Sequence, residues 1–166
     1  DMIGALYRNA DTLENMKAVH HSFKPQFKKE IQQDAVRAVL RLLEADWRVG
    51  VLTAANRDHV YEDLIPLGFP LDRFSSIQGA EETNVHKPHP DVFLPTIQRL
   101  AEKGVQKSAV IYVGDGLHDY AAARDAGLTF IGVTTGLISE EQFRSAGATT
   151  VVAGVHAIPA LFGLGE

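Results

Sequence analysis

The chain has 166 residues, a net charge of −5, 45% hydrophobic and 22% charged residues, the balance of a soluble globular domain large enough for a real core. That negative charge gives no electrostatic support to a nucleic acid or an anionic membrane surface as partner. With no cysteine, disulfides, thiolate metal sites and thiol nucleophiles are excluded, in keeping with a cytoplasmic protein.

No apolar run reaches the length of a membrane span, and no signal-peptide pattern opens the chain. It begins at Asp1 without an initiating Met, so the gene product is expected to start elsewhere. Residues 1–30 are the least typical stretch. Leu13, Met16, Val19 and Phe23 recur at helical spacing behind Asp11 and Thr12 as a cap, and Pro25 interrupts the run. The segment reads as a small helical hairpin, with His20 and His21 as solvated neighbours that point apart on a helix.

From Ile31 the pattern tightens. Val36, Val39, Leu40 and Leu43 mark the apolar face of a helix that ends near Asp46, and Trp47 to Leu52 predicts a strand. Thr53-Ala54-Ala55-Asn56 follows, then a helix through Val60 and Leu64. A hydroxyl at the carboxyl end of a strand reads in two ways. It can donate to a phosphate together with backbone N–H groups around Ala54 and Asn56, or it can cap the helix. Ser75 to Gln78 predicts another short strand. The loop after it holds His86-Lys87-Pro88-His89-Pro90-Asp91, where the two prolines stiffen the backbone around Lys87. A lysine held in this way can offset the charge of a phosphate and of a carboxylate nucleophile, though most lysines are simply solvated. His86 and His89 read as loop residues, and Asp91 to Ala101 as a helix.

Ala109 to Val113 is an apolar strand that breaks into Gly114-Asp115-Gly116-Leu117-His118-Asp119. A helix then runs to Gly127 as its C-cap, and a second strand spans Thr129 to Val133. This unit predicts parallel pairing with a right-handed crossover. Asp115 falls where open α/β sheets keep their ligands, and Asp115 with Asp119 offers hard oxygen donors of the kind Mg²⁺ takes. Asp119 reads equally as a helix N-cap. Ser139 with Gln142 forms a capping-box pattern over Ser139 to Ser145, Thr149 to Val152 predicts a last strand, and His156 to Phe162 a closing helix. Four or five short strands alternating with helices argue a doubly wound parallel α/β sheet.

Thr53 behind its strand, Lys87 in HKPHPDVF, and Asp115 and Asp119 in VGDGLHDYAAARDAGL with IGVTTG following resemble the second, third and fourth motifs of the haloacid dehalogenase superfamily. The closest flavour is its phosphoglycolate phosphatase-like branch, and the resemblance runs from about Ile31 to Phe162. It implies a Rossmann-like core in three α/β/α layers over residues 31–166, with residues 1–30 as part of a small helical cap. It also implies a magnesium-dependent phosphatase acting on a small phosphorylated metabolite through an aspartyl-phosphate intermediate. Thr53 and Lys87 would be its catalytic residues and would hold the phosphoryl group with Ala54 and Asn56. Asp115 would ligate Mg²⁺, and Asp119 would support that site.

The first motif of that family, Asp-x-Asp-Gly-Thr after a strand, supplies the nucleophile and is absent from the sequence. Either it lies upstream of Asp1, or Met2 to Tyr7 is the first strand and Arg8 and Ala10 stand where the aspartates were. The second case would describe a catalytically silent binding or assembly module. By the resemblance, the absent strand belongs in mid-sheet, between the strands that end at Thr53 and Gly114. Each buried backbone group left unpaired there costs about 1–3 kcal/mol, and several such losses exceed a domain's margin of roughly 5–15 kcal/mol.

Overall fold

The structure is a computed structural model and describes residues 32–165. The expectations for residues 1–30, a helical cap segment or a first strand with Arg8 and Ala10, lie outside the described residues.

Helix α1 (Gln33–Glu44) buries Ala38, Leu42 and Leu43 and has acidic Asp34 in its first turn and basic Arg41 in its last, the polarity that the helix dipole favours. It ends where Asp46 takes a left-handed φ of 60° and the Trp47 N–H bonds back to the Leu42 carbonyl at 2.9 Å. Strand β1 (Gly50–Leu52) is shorter than the predicted Trp47 to Leu52. It leads to α2 (Arg57–Leu64) and then to β2 (Ser76–Gln78). A 3₁₀ turn (Pro90–Phe93) feeds α3 (Leu94–Glu102), so the single helix expected from Asp91 is two pieces, with Pro95 in the first turn of the second.

The unit singled out in the sequence forms, but its first strand starts two residues later than the expected Ala109, which lies in a 3₁₀ turn, and runs on through Gly114. β3 (Ile111–Gly114) is followed by α4 (Leu117–Asp125) and β4 (Thr129–Val133), and Gly127 closes the helix with φ of 70°. α5 (Glu140–Ser145) carries the expected Ser139–Gln142 capping box, made in both directions. β5 (Val151–Val152) and α6 (Ile158–Leu161) complete the chain.

All pairings are parallel: β1 with β2, and β3 with β4 with β5. The chain is an α/β protein of Rossmann-like architecture. Its core gathers Phe93, Ala122, Ala123, Phe130 and Phe143, and the two alanines of α4 let that helix sit tightly on the strands. Among the described residues the strands fall into two separate groups. Between β1 and β3 lies a cavity of about 410 Å³, lined by Gly50, Val51 and Leu52 on one side and Val110, Ile111 and Tyr112 on the other.

Candidate functional site

The carboxyl ends of β1 and β3 carry the residues singled out in the sequence. Thr53 extends the β1–β2 ladder by donating its N–H to the Gln78 carbonyl at 3.1 Å. Its Oγ1 accepts the Ala55 N–H at 3.1 Å, which leaves the hydroxyl hydrogen available to a ligand. Thr53 therefore does not cap α2. That place belongs to Asn56, whose side chain makes no cap bond. The first N–H of α2, from Arg57, is taken by the Glu81 carboxylate at 3.2 and 3.3 Å.

Thr53, Ala54 and Lys87 line one small pocket with Gln78, Gly79 and His86. Asn56 does not line it. It is exposed at the N-cap of α2, two residues beyond Ala54.

Lys87 is mostly buried, and its ammonium is held at two points. It donates to Asp119 Oδ1 at 2.6 Å and to the Tyr112 hydroxyl at 3.0 Å, and that hydroxyl donates in turn to the same Asp119 oxygen at 3.2 Å. Burial alone would lower the affinity of Lys87 for its proton, but the pull of Tyr112 and Asp119 outweighs it and the pKa is raised. Burial likewise pushes the Tyr112 phenol up to about 12. At neutral pH this is an ammonium and a protonated phenol, both bonded to Asp119.

Asp119 is 2% exposed. It is the third residue of α4 and not its N-cap, and its Oδ2 accepts the Gly116 N–H at 2.9 Å. It reaches back over the strand because Gly114 has no side chain: a Cβ there would lie 2.5 Å from the Asp119 Cβ. Both carboxylate oxygens of Asp119 are thus engaged within the protein. Asp115, by contrast, is exposed and has no hydrogen-bond partner among the described residues. Its carboxylate lies against Gly136, where a Cβ would come within 2.6 Å of Oδ2.

Among the described residues no three His, Cys, Asp or Glu side chains gather to hold a metal. The donor chemistry still fits a hard cation that draws little from the protein, since Mg²⁺ takes one or two carboxylates and completes its shell with water and phosphate. Asp115 supplies such a carboxylate. Asp119 is instead bonded to Lys87.

Sequence reasoning brought Thr53, Ala54, Lys87 and Asp119 to one place, and the structure joins them. Tyr112 joins them in the structure, though in the sequence it is one residue of an apolar strand. A phenol inside such a strand was the available signal, because a buried hydroxyl must find a partner.

Comparison with known proteins gives the family of the chain. The family model for haloacid dehalogenase-like hydrolases matches residues 1–133. A phosphoglycolate phosphatase from Yersinia pseudotuberculosis is 32% identical over 120 residues, covering 69% of this chain and 50% of the relative. A glyceraldehyde 3-phosphate phosphatase from Methanopyrus kandleri is 29% identical over 113 residues, covering 68% of this chain and 47% of the relative. The chain spans about half the length of these curated relatives. Among solved structures, a hydrolase from Pseudomonas syringae superposes with a TM-score of 0.72 at 20% identity, over 99% of this chain and 78% of that one. A HAD phosphatase from Thermococcus onnurineus gives 0.63 at 21% identity, over 96% and 68%. With the motif residues at the ends of β1 and β3 and the match over most of its length, the chain belongs to the haloacid dehalogenase-like hydrolases.

Proposed function

We propose that the full protein is a magnesium-dependent phosphatase of a small phosphorylated metabolite, the Rossmann-like core supplying residues 31–166 and residues 1–30 belonging to a helical cap. The observation that carries the reading is the convergence of Thr53, Ala54 and a held Lys87 on one pocket. In it the Lys87 ammonium offsets phosphoryl charge at short range, while the Thr53 hydroxyl and the Ala54 N–H donate to phosphoryl oxygens. Charge neutralisation and positioning are most of what phosphoryl transfer asks of a protein.

The nucleophile comes from a strand upstream of Asp1 that fills the cavity between β1 and β3 and ends beside Lys87. Its carboxylate attacks phosphorus as the ester oxygen leaves with a proton, and water then cleaves the acyl phosphate and releases inorganic phosphate. Asp115 would hold Mg²⁺, which when bound neutralises phosphoryl charge and fixes its orientation. Relatives named as phosphatases of phosphoglycolate and glyceraldehyde 3-phosphate favour a small, anionic phosphate monoester as the substrate class.

The test is the full gene product assayed with Mg²⁺ against a panel of phosphate monoesters. Turnover that Asp115→Asn and Lys87→Ala each abolish is expected. A full-length protein that hydrolyses none of them is instead the binding or assembly module.

A further inference from the structure

Tyr112 is a polar side chain in the core to which the proposed chemistry gives no work. It lies on β3 two residues before Gly114, hence on the same face of the strand. Gly114 has no side chain, so the first turn of α4 settles directly on that face, and this brings Asp119 within 3.2 Å of the phenol oxygen. The ring itself is fixed. Phe93 meets it edge-on with centroids 4.7 Å apart, Phe130 flanks it at 6.4 Å, and the backbone of Tyr112 is in register with Phe130 across β3 and β4.

An ammonium carries three donors and has no preferred plane. Held by Asp119 alone, Lys87 could pivot about one oxygen and aim its other two N–H bonds anywhere. The bond to Tyr112 at 3.0 Å, closed into a triangle by the Tyr112–Asp119 bond, removes that freedom. One N–H is left over, on a lysine that lines the pocket with Thr53 and Ala54.

We propose that Tyr112 is a positioning residue for Lys87: its hydroxyl holds the ammonium so that the third N–H faces the anion pocket. That an anionic phosphoryl group occupies the pocket rests on the phosphatase reading; the locked triangle does not. The plain alternative is a core tyrosine whose hydroxyl merely found partners, and that alternative predicts a loss of stability and nothing else.

The experiment uses full-length protein and Tyr112→Phe, which keeps the ring and its packing. Thermal unfolding, calorimetric affinity for inorganic phosphate, turnover of p-nitrophenyl phosphate, and the ¹H–¹⁵N correlation of the Lys87 ammonium in the cold are measured together. Lys87→Ala identifies that correlation. Loss of one charge-assisted hydrogen bond predicts phosphate affinity and kcat/KM reduced about tenfold to a hundredfold, with the ammonium correlation lost. In a Lys87→Ala background, Tyr112→Phe should weaken phosphate binding no further.

The proposal is overturned if Tyr112→Phe lowers only the unfolding temperature and leaves phosphate affinity and the ammonium correlation as in the parent. It is also overturned if the parent gives no Lys87 ammonium correlation, because that lysine is then not held. If the parent hydrolyses no ester and binds no phosphate, yet the correlation depends on the phenol, the positioning role stands and the phosphatase reading falls.

Discussion

Asp115 follows β3 and Gly136 follows β4, so both leave the carboxyl end of this parallel pair, where they touch. A methyl at Gly136 would sit 2.6 Å from Asp115 Oδ2 and 3.0 Å from its Cβ, so the carboxylate must rotate away. The Gly136 backbone is not left-handed, so alanine is conformationally acceptable there. Gly136→Ala should therefore spare folding but raise the Mg²⁺ concentration for half-maximal turnover about tenfold or more, the usual scale when a ligand's support is disturbed. A Mg²⁺ titration of the full-length variant with unchanged half-saturation would remove Asp115 from the metal site. At this scale the sequence was informative where chemistry is rare. A threonine directly behind a strand, a lysine between prolines and an aspartate after a β-run each stand out locally. The contacts that tune them do not, because Tyr112, Gly114 and Gly136 meet their partners only through the packing of α4 and the loop after β4 on the strands.

Helix α3 shows how one element is finished by another. Phe93 precedes it and offers no side-chain cap, so the Thr96 N–H is satisfied from β2 by Gln78 Oε1 at 3.1 Å. The Gln78 amide also donates to the Val92 carbonyl at 2.7 Å. Gln78 is 1% exposed. Gln78→Leu would bury those backbone groups unpaired and should destabilise the protein by about 2–4 kcal/mol, read by urea unfolding; a loss well under half of this would mean that water or a neighbour replaces the amide.

Glu82 ties the loop after β2 to α3 through Arg99, with Arg57 at 3.9 Å and the Gly79 N–H at 3.1 Å. Burial raises its pKa, but these partners outweigh burial and hold it below 4.5. A depressed carboxylate stabilises the fold above its unfolded value and loses that contribution as pH falls through the folded one. Glu82→Gln should thus cost about 1 kcal/mol at neutral pH. The gap from the parent should close as pH drops below 4.5, and a gap constant down to strong acid would refute the linkage. Helices and parallel strands were legible because apolar period and punctuation are local. The strand ends were not: β1 begins at Gly50 and not at Trp47, whose ring instead packs on Phe162 at 4.4 Å.

The two strand groups make a prediction about the molecule as a whole. β1 uses one edge for β2 and β3 uses one edge for β4, and the other edges face the cavity of about 410 Å³. Its walls are mostly apolar, with Val51, Leu52, Phe93, Ile97 and Ile111 among them. A lining of that kind excludes water poorly paired to backbone, so the open N–H and C=O groups call for a strand. The upstream strand proposed above would pair with both edges and turn the two groups into a single sheet of the kind Rossmann-like proteins have. No local feature of residues 32–165 could reveal this opening, since strand neighbours are chosen by long-range pairing and not by sequence adjacency.

In the full-length protein the amides of β1 and β3 that face the cavity should exchange with solvent about as slowly as those on the β2- and β4-facing edges, because a ladder on that side ties their opening to global unfolding. Hydrogen exchange read residue by residue decides it: cavity-facing amides that exchange about a hundredfold or more faster than those on the paired edges would mean that nothing pairs there, and the nucleophile would then have to reach Lys87 by another route.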